Sequence, residues 1–393
     1  MLFSLVLMVL CAIVLSRIME SLRLPGLIGM LLTGIILGPY ALNLISPELL
    51  SISVDLRKIA LIIILLRAGL AINITDLKKI GRPALFLCFI PATFEIAAVT
   101  IFAPMLFQIT RLEATIMGAV LAAVSPAVVI PRMLTLMENG YGKNKSIPQL
   151  MLSGVSLEGV YAVILVSSFI GIYGGDGFDF INIIKIPISI IAGALLGAST
   201  GFAFVYIFKK IHIRDTIKIL IIIIAALLFM VLEVALEGYF PVSGLLATMA
   251  LGISILKQCS NLAKRFSAKL SKIWVVAEIM LFVLVGAAVN VGYAASTGFS
   301  AILLILIILL TRICAVFICL TKTELNMKEK AFCAITYLPK ATVQAAIGGL
   351  PLAAGVESGA TILAVAVLAI VITAPIGAIG IDMTFKKLIT RSR

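Results

Sequence analysis

Charge is what this chain has least of. Only 12% of its 393 residues are Asp, Glu, Lys or Arg, about half the share in an ordinary soluble domain. So few charges cannot cover a water-facing surface, and 62% of the residues are hydrophobic, with a mean hydropathy of +1.23. Histidine occurs once, at His212, which excludes multi-histidine zinc or haem chemistry. The six cysteines (Cys11, Cys88, Cys259, Cys314, Cys319 and Cys333) are scattered, five of them in predicted helices, and form no CxxC pair. Neither a disulfide framework nor a redox motif is expected. The start, Met1-Leu2-Phe3, lacks a basic n-region and no small-residue cleavage site follows, so the first apolar run reads as a retained helix rather than a signal peptide. With no metal cluster, Ser–His arrangement or catalytic Asp pair, no enzyme and no cofactor are expected.

What is there instead is a series of apolar runs. Segments of about 20 mainly apolar residues fall near 2–20, 26–44, 55–75, 83–106, 112–134, 148–173, 182–208, 216–236, 240–256, 271–292, 298–321, 330–353 and 358–384. They predict an all-α polytopic membrane protein of about 13 transmembrane helices. One set of alternate connections and span ends is basic: Arg17 and Arg23; Lys78, Lys79 and Arg82; Arg132, Lys143 and Lys145; Lys209, Lys210, Arg214 and Lys218; Lys257, Lys264, Arg265, Lys269 and Lys272; Lys322, Lys328 and Lys330; Lys386, Lys387, Arg391 and Arg393. The other set holds few, chiefly Arg57-Lys58, Arg111 and Lys185. The positive-inside rule then puts the N-terminus outside and the C-terminus in the cytoplasm. The same distribution explains the net charge of +13 without nucleic acid: short basic loops control topology and attract anionic headgroups at the cytoplasmic face.

Two spans are interrupted at mid-membrane depth. One contains Val124-Ser125-Pro126-Ala127-Val128-Val129-Ile130-Pro131, the other Leu338-Pro339-Lys340-Ala341 and Gly348-Gly349-Leu350-Pro351. Pro126, Pro131 and Pro339 remove backbone donors, and Gly348 loosens the second segment, so each break frees peptide groups that hydrocarbon cannot satisfy. A pair of such breaks in matching places marks a transporter's ion site. They fall in the fifth and twelfth spans, an odd offset, so the two cross in opposite directions. Inverted-topology repeats follow, spans 1–6 and 8–13, with span 7 as connector.

Six ionisable residues lie well inside the spans, away from their ends: Arg67, Glu95, Glu158, Glu278, Arg312 and Lys340. Each charge near the bilayer centre costs roughly 3 kcal/mol on insertion scales and needs a partner or water. Glu158, in the span after the first break, is the candidate transport carboxylate and the ligand of a monovalent cation. Its oxygens would be contested by cation and proton, with Ser125, Ser153, Ser156 and freed carbonyls completing a hard-oxygen shell. The alternative is a carboxylate that only neutralises Lys340 or Arg312. Lys340 balances the broken helices' dipole ends, or pairs with Glu158 and releases it when a cation arrives, or merely caps carbonyls. Arg312 is a fixed cation with Glu95 as its natural partner. Arg67 is expected to snorkel to the cytoplasmic face, and Glu278 to lie one to two turns from the cytoplasmic end of its helix.

On these residues the chain resembles the monovalent cation/proton antiporter superfamily, in its NHA-type branch. Besides the two breaks, the second read through Thr342-Val343-Gln344-Ala345-Ala346-Ile347-Gly348, the resemblance rests on Leu65-Leu66-Arg67-Ala68-Gly69-Leu70, Pro91-Ala92-Thr93-Phe94-Glu95, the span around Arg312, and Ile372-Thr373-Ala374-Pro375-Ile376-Gly377. It implies a homodimer with a dimerisation scaffold (1–82 and 210–295), an ion-transporting core (83–181 and 296–385) moving in an elevator-like step, and a linker helix (182–209). The expected location is a bacterial inner (plasma) membrane. In that family the sixth span carries two adjacent acids or an Asn-Asp pair; here Glu158-Gly159 stands in that place. Exchange of Na⁺, Li⁺ or K⁺ for protons is the function implied. A transport-deficient sensor or scaffold is the second reading, and an uncoupled ion channel the third.

Overall fold

The computed structural model describes residues 1–22, 24–71, 81–174, 180–211, 213–236 and 240–391. Arg23, Lys78, Lys79, His212 and Arg393 of the basic connections lie outside them. Helices dominate, with one isolated backbone bridge between Tyr141 and Arg391 as the β-type pairing among the described residues. Among the described residues nine segments are long and apolar enough to cross a membrane, and every one of the 13 apolar runs holds helix.

Both interruptions are real breaks. The fifth span is helical over Arg111–Leu121 and again over Pro126–Glu138. The twelfth is helical over Met327–Thr336 and Thr342–Ile347, with a further short turn, Leu350–Ala353, after Gly348-Gly349. Pro126 opens its half-helix, where a missing N–H costs nothing, whereas Pro131 sits inside it. One expectation shifts: Glu278 lies well inside the long helix Ser260–Ala287, because that helix continues back through the basic stretch Lys264–Lys272.

The chain divides into two compact units. The first comprises Met1–Val54, Asn73–Ile170 and Leu281–Arg393, and holds both broken spans. Within it, Gly34 and Gly286 let two helices touch backbone to backbone, since a β-carbon at Gly286 would meet Gly34 Cα at 3.1 Å. Helix Arg82–Phe107 packs along Val291–Cys319, and Gly359–Leu388 packs on both Val291–Cys319 and Met327–Thr336. The second unit comprises Asp55–Ile72 and Gly171–Met280. Its tightest pair is Phe180–Lys210 against Gly244–Gln258, where Gly193, Gly197 and Gly201 face Ser243, Ala247 and Leu251. This spacing of four puts all three glycines on one helix face. In the same unit Arg67 lies 5.5 Å from the ring centre of Trp274, one turn from Glu278.

The inverted repeat has a sequence signature in the helix caps. Each broken span opens with a capping box, Thr110 with Glu113 and Asn326 with Glu329. Fifteen residues separate Thr110 from Ser125, the N-cap of the second half-helix, and fifteen separate Asn326 from its counterpart Ala341. The capping acids then reach matching places: Glu113 accepts from Ser358 N (3.0 Å), at the start of the last span, and Glu329 from Lys145 Nζ (2.8 Å), just before the sixth.

Candidate functional site

The two breaks cross beside each other. Ser125 N donates to Pro339 O (2.7 Å), and the hydroxyls of Ser125 and Thr342 lie 3.5 Å apart. Pro339 fits because the facing residue is Gly377, where a β-carbon would strike the proline ring at 2.6 Å.

Around this crossing, Glu95, Glu158, Arg312 and Lys340 converge, all four fully buried. Arg312 Nε donates to Glu95 Oε2 (2.6 Å), and its Nη1 to Glu158 Oε1 (3.2 Å) and Oε2 (3.1 Å). Lys340 Nζ pairs with Glu95 Oε1 at 2.5 Å. Arg312 is thus the partner of Glu158, while Glu95 receives both cations. Two cations and two carboxylates cancel, which is how such a cluster survives away from water.

The freed backbone groups have partners as well. Arg312 Nη2 donates to Ala122 O and Nη1 to Tyr337 O (3.4 Å). Lys340 Nζ donates to Leu121 O (2.6 Å). Gln344 Nε2 reaches Leu121 O (3.2 Å) and Ala123 O (2.5 Å), while its Oε1 accepts from Ala341 N (2.9 Å). Three consecutive carbonyls of the first break are therefore capped by side chains of the second repeat, rather than standing open for a cation. Glu158 Oε2 accepts from Val124 N (3.0 Å), and Thr373 Oγ1 accepts from Lys340 N (2.9 Å).

Of the residues singled out from sequence, Glu95, Glu158, Arg312, Lys340, Ser125 and Pro339 meet here. Ser153 is half-buried on the Glu158 helix and makes no hydrogen bond to the four charges among the described residues. The side chain of Ser156 lies outside the described set. Pro131 and Gly348 stand away from the crossing, inside one half-helix and at the end of another. Gln344, Thr373 and Gly377 stood in the resembling motifs without a role assigned to them, and Tyr337 was not singled out. Uncharged polar residues and glycines are common in membrane helices, so only their place in the fold distinguishes them.

Comparison with known proteins gives one answer. The family described as "Sodium/hydrogen exchanger, transmembrane" matches residues 5–387. The chain is 31% identical over 409 residues to "Sodium/hydrogen exchanger 9B2" of Mus musculus, covering 100% of this chain and 74% of the relative. It is also 31% identical over 411 residues to "Sodium/hydrogen exchanger 9B1" of Homo sapiens, covering 99% and 78%. In fold it is similar to the sodium proton antiporter MjNhaP1 from Methanocaldococcus jannaschii at pH 8, with a TM-score of 0.82, 19% identity, and coverage of 98% of this chain and 97% of that one. The match along nearly the whole length, on an all-helical fold with two crossing breaks, makes this integral membrane protein a member of the sodium/hydrogen exchanger family, within the monovalent cation:proton antiporters.

Proposed function

We propose that the protein exchanges a monovalent cation, Na⁺ or Li⁺ with K⁺ as a further candidate, for protons, and that both compete for Glu158. The observation that carries this reading is the uneven compensation of the two acids. Glu95 is matched by Lys340 and Arg312 together, whereas among the described residues Glu158 has only its share of Arg312 and one backbone N–H. A buried carboxylate with half a counter-charge is the group to which a proton or a small cation adds most. A cation arriving at Glu158 takes over part of Arg312's role; a proton does the same without filling the site.

All four charges of the cluster lie on residues 83–181 and 296–385, and the segment that carries them is the natural carrier in an elevator-like step. In that reading residues 83–181 and 296–385 form the moving core, 1–82 and 210–295 the scaffold of a homodimer, and 182–209 the linker. The basic loops would lie at the cytoplasmic side of a plasma membrane, against anionic lipid. The bacterial inner membrane is our assignment.

The test is cation-induced pH change in proteoliposomes of the purified protein, offering Na⁺, Li⁺ and K⁺ in turn. Proton movement is expected for at least one ion, with apparent cation affinity falling as pH falls, and is expected to vanish in Glu158→Gln. Activity retained in Glu158→Gln would remove Glu158 from the mechanism. Silence toward every ion, with a folded protein, would favour the regulatory reading. One observation supports that second reading: a β-carbon at Gly159 would come 3.3 Å from Val343 Cγ2, so the place of a second acid is partly filled.

A further inference from the structure

Tyr337 is the C-cap residue of helix Met327–Thr336 and is fully buried. Its hydroxyl donates to Leu87 O at 3.4 Å. The same hydroxyl occupies the space over Gly154: a β-carbon there would overlap the phenol oxygen, and would lie 3.0 Å from Leu87 Cβ and 3.1 Å from Tyr337 Cζ. Its carbonyl accepts from Arg312 Nη1.

These contacts are placed systematically. Gly154 precedes Glu158 by four residues on helix Ile147–Tyr173, and Leu87 precedes Glu95 by eight on helix Arg82–Phe107. At 3.6 residues per turn each lies on the same face as its acid, about one and two turns away. The phenol is therefore wedged between the two acid-bearing helices, next to the layer where the acids share a guanidinium. An ordinary core tyrosine needs only a partner for its hydroxyl. This one also touches backbone at a glycine and holds the shared arginine through its own carbonyl.

We propose that Tyr337 is a positioning residue for exchange: its phenol sets the separation of the helices carrying Glu95 and Glu158, and its carbonyl fixes the arginine between them. The proposal rests on the exchange reading above. A displacement of about 1 Å at a reacting group can cost up to about a hundredfold in rate, so a small change in the wedge is expected to be felt at Glu158.

The experiment is a double-variant cycle of Gly154→Ala and Tyr337→Phe, read by thermal unfolding and by cation-dependent proton movement across a pH series. Gly154→Ala drives a methyl into the hydroxyl; Tyr337→Phe removes that hydroxyl and keeps the ring. Gly154→Ala is expected to raise the apparent KM for the cation about tenfold and to displace the pH profile, with maximal rate changed less. Adding Tyr337→Phe is expected to recover most of that loss, and the unfolding temperatures are expected to be non-additive. Additive unfolding temperatures would overturn the wedge itself. Non-additive temperatures with unchanged KM and pH profile in both single variants would overturn the positioning role, leaving a packing contact. A wild-type protein silent toward every cation would instead sink the exchange reading, and this proposal with it, whatever the unfolding cycle shows.

Discussion

The two repeats use one frame for opposite chemistry. An offset of 216 residues carries Thr110 to Asn326, Val124 to Lys340 and Ser125 to Ala341. At equivalent positions, the N–H of Val124 is received by Glu158 and that of Lys340 by Thr373. Glu95 and Arg312 lie on the corresponding fourth and eleventh spans and bond to each other. Both anions of the cluster therefore belong to the first repeat and both of its cations to the second. The frame needs only a hydrogen-bond acceptor behind each break; a hydroxyl does that for the second repeat. A carboxylate in the first exceeds the structural need, and that surplus is where function should be sought.

Removing the charge that joins the repeats is expected to have the largest effect. Arg312→Gln leaves Glu95 and Glu158 with Lys340 alone, and breaking a buried ion pair from one side costs about 3–5 kcal/mol. Loss of folded protein on size-exclusion chromatography, or a large drop in unfolding temperature, would check this; an unchanged unfolding temperature would refute it. Arg312→Lys should recover only part, because an ammonium cannot bridge two carboxylates and two carbonyls in one plane.

The comparison sharpens when the acceptors behind the breaks are exchanged for apolar groups. Thr373→Val strands the Lys340 N–H, and a buried donor left unpaired costs about 1–3 kcal/mol. Its signature should be thermal, with apparent cation affinity kept, whereas Glu158→Gln should abolish exchange. Equal loss of ion dependence in both variants would mean that the repeats are functionally equivalent, contrary to the division above.

The smallest effect is expected at the exposed end of the same unit. Arg132 Nε meets Asp382 Oδ1 at 3.1 Å with the carboxylate 57% exposed. Arg132→Gln should cost no more than about 1 kcal/mol, shrinking further in high salt. A shift matching that of Arg312→Gln would show that the difference between buried and exposed pairs has been misjudged.

The breaks and the four charges were legible in the sequence because both are expensive in lipid: Pro126 and Pro339 free peptide groups, and Glu95, Glu158, Arg312 and Lys340 demand partners. The Arg312–Glu95 pair was legible as well, but the partners of Lys340 and Glu158 were not, since pairing depends on the crossing angle of spans far apart in sequence. Lys340 turns to Glu95, leaving Glu158 to Arg312. Gln344 stood in the quoted motif but its role was not legible, because an amide carries no charge to flag it, although it satisfies three backbone groups. The repeat could have been read more directly. Matched capping boxes with equal spacing to the next N-cap are a local signal, even where side chains between them share nothing.

The separation of signs between the repeats also has a consequence in time. A ribosome makes Glu158 154 residues before Arg312. At about 5–20 residues per second that is an interval of roughly 8 to 30 seconds. Throughout it the nascent first half holds two acids whose basic partners do not yet exist. It must keep them protonated or in contact with water, so the crossing of the broken helices can close only late, when the second half arrives to complete it.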